Sequence, residues 1–183
     1  DKSFHGVGFV GQHAKAGTHC SHITHTQWFD HIDLAVNGVS IGEYGQLALC
    51  AMELGIPTIR ACGEQALAHE AAALTPGVVT VAVKRGLLPD GLDALDADAY
   101  RNAKLSAIHL APTRVRRLID EGAKSAARRL AADPHSFRYP QLSPPYTRTV
   151  RLRKMGDTPA YAARDTHPDS LIALANMPYT RLP

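Results

Sequence analysis

Val7-Gly8-Phe9-Val10-Gly11-Gln12-His13-Ala14-Lys15-Ala16-Gly17-Thr18 runs from an apolar stretch straight into polar chemistry. Val7 to Val10 reads as a buried strand, and His13 stands at its end. Strand ends, and the helix starts that follow them, are where α/β folds place their chemistry. Further on, Thr24-His25-Thr26 sets another histidine twelve residues after the first, and Gly42-Glu43-Tyr44-Gly45 opens a helix on a carboxylate. Histidine and carboxylate are the ligand types that a catalytic zinc site uses.

Residues 12–31 form a loop with five histidines: His13, His19, His22, His25 and His31, with Trp28 and Phe29 as apolar anchors. Ile32 to Val36 reads as a strand that turns at Asn37-Gly38, a pair suited to the positive φ angles of a tight hairpin, and returns through Val39-Ser40-Ile41. Glu43 to Leu54 is an amphipathic helix stopped by Gly55 and Pro57. Thr58 to Ala61 is a short strand, and Glu64 to Leu74 an Ala-rich helix ended by Pro76-Gly77. The apolar run Val78 to Val83 reads as a strand buried on both faces. Residues 85–104 are a connection rich in Gly, Pro and Asp, and Leu105 to Leu110 fits either a strand or a helix start. Ala111 to Ala132 is the longest helix, with Pro112 in its first turn and Leu118, Ile119, Ala123 and Ala126 facing inward. Val150 and Leu152 alternate with arginines, which marks Thr147 to Arg153 as a half-exposed strand.

This order predicts an α/β fold: a mixed, largely parallel sheet flanked by helices. Three or four core strands leave a sheet edge open, so further N-terminal strands are expected upstream. The absence of an initiator Met and a start almost on a core strand point the same way. The domain expected is a metallopeptidase-like α/β core over 1–139, incomplete at its N-terminus, with a Pro-rich extension over 140–183 that carries a short strand.

The 183 residues are 45% hydrophobic and 20% charged, a globular composition, and a net charge of +3 is too small to argue for nucleic acid. Arg114, Arg116, Arg117, Arg128 and Arg129 read as a solvated helix face, and Arg148 to Lys154 likewise. No run is long enough to cross a bilayer, and Asp1-Lys2-Ser3-Phe4-His5 does not read as a signal peptide. Three cysteines, Cys20, Cys50 and Cys62, without tight spacing suit a reducing compartment, so a cytoplasmic location is expected.

A strand-end histidine satisfied by backbone is the bland account of His13, and a favourable helix dipole is that of Glu43. Five histidines in one loop followed by Glu43 raise the functional account to equal standing. Lys84, at a strand end, and Glu64, at a helix start, are further polar candidates, each with a plain solvated reading beside it. Cys20 with His22 or His25 offers a Cys–His nucleophile, which requires hydrogen-bond contact between the two side chains. The histidine loop alone offers a simple metal-binding segment.

Phe9-Val10-Gly11-Gln12-His13-Ala14-Lys15-Ala16, Thr24-His25-Thr26, Val36-Asn37-Gly38, Gly42-Glu43-Tyr44-Gly45, Gly55-Ile56-Pro57, Gly63-Glu64 and Val81-Ala82-Val83-Lys84 together resemble the dizinc D-aminopeptidases, over residues 7 to about 130. The resemblance implies that His13 and Glu43 are zinc ligands and that His25 is the catalytic histidine. It implies two zinc ions per complete site, a short peptide substrate with a D-residue at its amino end, and a ring-shaped homo-oligomer. The family's Ser-x-Asp-x-Glu-Gly strand and a further histidine ligand have no counterpart here, and Asp1 and His5 stand too close to the first core strand to replace them. His13 and Glu43 alone do not hold two ions. A second N-terminal segment of polypeptide is therefore an expected partner. A non-catalytic scaffold subunit is the alternative.

Overall fold

Two four-stranded sheets share one helix. The structure is a computed structural model and describes residues 3–183; Asp1 lies outside the described residues. In chain order the elements are β1 (Val7–Gln12), β2 (His31–Val36), β3 (Val39–Ser40), α1 (Glu43–Glu53), β4 (Thr58–Glu64), α2 (Gln65–Leu74), β5 (Val79–Gly86), α3 (Ala97–Ala103), β6 (Ala107–His109), α4 (Pro112–Ala132), β7 (Tyr146–Leu152), β8 (Tyr161–His167) and α5 (Leu171–Asn176). One sheet has the order β1-β4-β5-β6, with the first three parallel and β6 antiparallel. The other has the order β3-β2-β7-β8 and is antiparallel throughout. The fold is thus mixed α/β, with a largely parallel sheet flanked by helices.

Helix α1 is the shared element, because its two flanks are apolar. Tyr44 and Ala48, four residues apart and on one face, pack with Phe9, Ala61, Leu67 and Ala71 under the parallel sheet. Leu49, on another face, packs with Leu34, Val150, Leu152, Leu171 and Leu174 against the antiparallel sheet. The helix ends where Gly55 takes a φ of +72°, a conformation glycine adopts without a Cβ penalty. Its packing holds Glu43, its first residue, at the junction of both sheets.

The C-terminal ends of β1 and β4 approach closely. A Cβ on Gly63 would sit 1.8 Å from the carbonyl oxygen of Gln12, so only glycine fits there. Helix α4 covers the outer side of the parallel sheet; the expected inner face is present, with Ala126 buried and Leu118 and Ile119 half-buried, and Gly122 lies at its centre against Val81.

The structure differs from the sequence expectation in several places: Arg148 and Arg153, expected on a solvated face, are buried, and Val10 in the expected buried strand is exposed. The strands divide into two sheets, because β2 pairs with β7 from the far end of the chain rather than with the parallel strands. Residues 140–183, expected as an extension with one short strand, supply β7, β8 and α5; the mixed polarity of Tyr161–His167 hid β8. The connection 85–104 contains α3, capped by the Asp96 side chain on the Ala99 amide. Strand β5, expected to be buried on both faces, buries Val81 but leaves Thr80 and Ala82 exposed. The hairpin at Asn37-Gly38 is as expected, with φ of +49° and +81°. Asn37 also ties it to β7: its Oδ1 accepts from the Thr147 amide. No helix among the described residues is long and apolar enough to cross a membrane.

A buried ion pair locks the C-terminal segment onto the antiparallel sheet. Arg148 Nη2 lies 2.6 Å from Asp165 Oδ2, with side chains 4% and 0% exposed, and it also donates to the carbonyl of Met177. Burial raises the Asp165 carboxyl, but the hydrogen bonds from Arg148 and Thr180 outweigh it and hold its pKa below the ordinary 3.8. A depressed carboxyl stabilises the fold above that value and loses the contribution as pH falls through the folded-state pKa. Asp165→Asn, which strands the Arg148 guanidinium, is expected to cost about 3 kcal/mol at neutral pH. Chemical denaturation across the acid range should show the gap to wild type narrowing below the ordinary carboxyl pKa.

Candidate metal centre

The loop between β1 and β2 has little regular structure, so its shape is imposed from outside. Glu64, at the end of β4 and wholly buried, does most of this. Its Oε1 accepts from the Ala14 amide at 2.7 Å and from the Ser21 hydroxyl, and its Oε2 from the His22 amide at 2.6 Å. Glu70, one turn and a half along α2, accepts from the Lys15 amide at 2.8 Å. On the other side, buried Lys104 donates to Asp90 at 2.7 Å and to the Thr18 carbonyl, while Tyr100 takes a hydrogen bond from the Gly17 amide. Arg153, stacked 3.7 Å over Tyr100, donates to the His31 carbonyl at the loop's exit.

Held in this way, His13, His25 and Glu43 converge. One ligand atom from each lies within 4.8 Å of the others. His13 Nε2 is 3.2 Å from Glu43 Oε2, and His25 Nε2 is 3.7 Å from Glu43 Oε1. The two imidazoles stack, with centroids 4.0 Å apart, and Phe29 covers the far face of His25 at 4.4 Å. Each ring is oriented through its other nitrogen: His13 Nδ1 meets the Ala14 carbonyl at 2.9 Å and His25 Nδ1 the Ile23 carbonyl at 2.7 Å. A carbonyl only accepts, so each Nδ1 carries a proton, and Nε2 is the atom that each ring turns toward Glu43 and the shared point. Glu43 is steadied by the side-chain amide of Gln12 at 3.0 Å and the backbone amide of Gln27 at 2.9 Å.

Electrostatics favour an ionised Glu43 beside one ring, His13, that holds its proton more firmly than usual and another, His25, that holds it less firmly. Burial pushes the Glu43 carboxyl up, but the hydrogen bond and charge of His13, then His25 and Gln12, bring it below its ordinary value. Burial lowers His13, yet its contacts with Glu43 and Ala14 carry its pKa above the ordinary value. For His25 burial prevails and its pKa falls.

The three residues marked by the sequence, His13, His25 and Glu43, are therefore neighbours. His19, His22 and His31 are elsewhere: His22 turns to His109, and His31 lies between Asp30 and Tyr179. The five histidines do not form one cluster. Among the described residues no hydrogen bond joins Cys20 to a histidine; its side chain is exposed. Glu64, expected at a helix start with a solvated reading open, is instead the wholly buried last residue of β4; it positions the loop and does not enter the cluster. Sequence reading missed Gln12, Gln27, Glu70 and Tyr179. Gln27 acts through a backbone amide at a φ of +59°, for which its side-chain type gives no signal. Tyr179 donates to Gln27 Oε1 from the far end of the chain, a contact only the fold reveals.

The fold and the cluster define a mixed α/β protein with two histidines and a glutamate converging where a parallel strand ends and a helix begins. The chain belongs to the peptidase M55 family, D-aminopeptidase, whose model matches residues 1–165. The D-aminopeptidase of Bacillus subtilis (strain 168) is 34% identical over 85 residues, 46% of this chain and 31% of that protein. The solved structure of the Zn-dependent D-aminopeptidase DppA from Bacillus subtilis, a self-compartmentalizing protease, matches with a TM-score of 0.75 at 22% identity, over 96% of this chain and 61% of that one. That likeness shows the fold, and the chain spans less than two thirds of the length of either relative.

Glu64→Gln tests the positioning role. Three donors reach the Glu64 oxygens, whereas an amide offers one oxygen and adds an NH2. The variant is expected to lose about 2 to 4 kcal/mol of stability, with the Ala14 and His22 amides losing hydrogen-exchange protection first.

Proposed function

We propose that this chain carries part of the active site of a zinc-dependent aminopeptidase that hydrolyses short peptides with D-residues at the amino end. The observation that carries this reading is the convergence of His13 Nε2, His25 Nε2 and the Glu43 carboxylate, with both Nδ1 atoms tied to backbone carbonyls, in a chain of the D-aminopeptidase family. That donor set fits a zinc ion: two imidazole Nε2 atoms and one carboxylate turned to a shared point, with ring orientation fixed by a second hydrogen bond, and a bound ion would take the place of the His13 proton.

His13 and Glu43 would hold the metal. When bound, zinc lowers the pKa of a coordinated water and polarises a carbonyl oxygen. Two ions need more ligands than these residues supply, so a dinuclear centre takes carboxylates from polypeptide outside this cluster. His25 is the acid and base. Its Nδ1 is spent on Ile23, so proton transfer happens at Nε2, and its lowered pKa keeps that atom unprotonated and able to accept. The same atom then returns the proton to the departing amine. Phe29, stacked on His25, limits water on that side. A homo-oligomeric ring is part of the proposal, supported by the neighbour's description as self-compartmentalizing.

Zinc titration by calorimetry, paired with hydrolysis of D-alanyl peptides, separates the roles. His13→Ala and Glu43→Gln are each expected to weaken zinc binding at least about tenfold. His25→Ala is expected to keep zinc and lower turnover by about 10²- to 10⁴-fold. Loss of zinc from His25→Ala would make His25 a ligand instead, and unchanged zinc binding in the other two would remove them from the metal site.

A further inference from the structure

Gln27 is an exposed loop residue with a φ of +59°, in the left-handed region that a residue with a Cβ seldom enters. Packing does not hold an exposed residue there, so its polar contacts must. Its backbone amide donates to Glu43 Oε1 at 2.9 Å. Its side-chain amide is gripped from two sides: Nε2 donates to Gln46 Oε1 at 2.7 Å, and Oε1 accepts from the Tyr179 hydroxyl at 2.9 Å. Gln46 lies one turn after Glu43 on α1, so the first grip comes from the helix that carries the carboxylate. The second comes from 152 residues further along the chain.

Tyr179 is itself firmly placed. Arg148 Nη2 donates to the carbonyls of Met177 at 2.9 Å and Pro178 at 3.3 Å, and its guanidinium lies 4.5 Å from the centre of the Tyr179 ring. On the other side, the Thr180 amide donates to Asp165 Oδ1 at 3.0 Å. The buried Arg148–Asp165 pair therefore clasps the backbone both before and after Tyr179. At the hydroxyl, His31 Nε2 is 3.0 Å away, and Asp30 holds that ring through Nδ1 at 2.9 Å. His31 is buried and opens β2. A hydroxyl fixed by the antiparallel sheet thus reaches a loop residue that has no rigid element of its own.

The consequence falls on Glu43. With the Gln27 amide on Oε1, the other oxygen, Oε2, is turned to His13 Nε2 at 3.2 Å. Contacts of this outer kind fix the orientation of a metal ligand and so tune its affinity. We propose that Tyr179 is a positioning residue of the metal centre: through Gln27 it holds the Glu43 carboxylate with Oε2 toward His13. This rests on the zinc reading of the cluster and extends it. It ties to the metal centre a C-terminal segment that lies beyond residues 1–165, the span matched by the family model.

Tyr179→Phe tests this, because it removes the hydroxyl and keeps the ring against Arg148. In the metal-free protein, hydrogen exchange of the Gln27 amide, followed by NMR, is expected to quicken by a factor of about two to ten, the loss of one hydrogen bond's support. The amides of β7 and β8 are expected to keep their protection. In a calorimetric zinc titration the Kd is expected to rise by a similar factor of about two to ten. Gln27→Gly leaves the positive φ accessible and removes the gripped side chain. It is expected to weaken zinc binding likewise, and adding Tyr179→Phe to it should then change nothing further. An unchanged Gln27 amide in Tyr179→Phe would overturn the proposal, as would unchanged zinc affinity or losses that simply add in the double variant. Equal quickening throughout β7 and β8 would also overturn it, since Tyr179 would then act on the fold alone. Absence of zinc binding by the wild-type chain would instead refute the metal reading, and the amide exchange then decides the Tyr179 link by itself.

Discussion

Glu64 is the constraint on which the rest of the structure depends. The loop that carries His13 and His25 is too irregular to satisfy its own backbone, and a buried amide without a partner is costly. A wholly buried carboxylate at the end of β4 answers this by accepting from Ala14, Ser21 and His22. Ala14 is next to His13, and His22 leads to His25, so one side chain sets the start and middle of the loop. Gly63, immediately before it, lets β4 come close enough to β1 for the contact to form. The Lys104–Asp90–Tyr100 group and Arg153 close the loop from the opposite side.

Strain in the loop has a defined position. Cys20, Ile23 and Gln27 all have positive φ, which for a β-branched residue such as Ile23 costs about 1 to 3 kcal/mol. Ile23 is held there by its amide, which donates to the Lys104 carbonyl, and its own carbonyl orients His25. Gln27 turns its amide toward Glu43. Two of these three residues, Ile23 and Gln27, therefore orient the second histidine and the carboxylate, while the Cys20 amide donates to the Leu88 carbonyl. The buried contacts on either side of the loop offset the cost.

Much of the site was legible in the chain. His13 stands where an apolar run ends, and Glu43 where a helix begins, so local pattern alone marks both. His25 needed the family resemblance, because a histidine between two threonines in a loop has no pattern of its own. Legibility stopped where the determinant is tertiary. The split into two sheets depends on β7 returning to β2, and the strand β8 has no clean alternation to show it. Gln27 and Ile23 contribute backbone groups, which any residue type carries, and Tyr179 reaches Gln27 across nearly the whole chain. Periodicity found the elements, and turn residues their ends; neither encodes which strand ends up beside which.

The central claim is that the loop is held so that His13 and Glu43 meet on one metal ion, with His25 turned toward the same point. Zinc-edge anomalous diffraction from crystals grown with zinc tests it most directly. The account predicts an anomalous peak within bonding distance of His13 Nε2 and a Glu43 carboxylate oxygen, with His25 Nε2 facing it. Zinc bound elsewhere, or His13 and Glu43 turned from a common point while zinc is present, would contradict it.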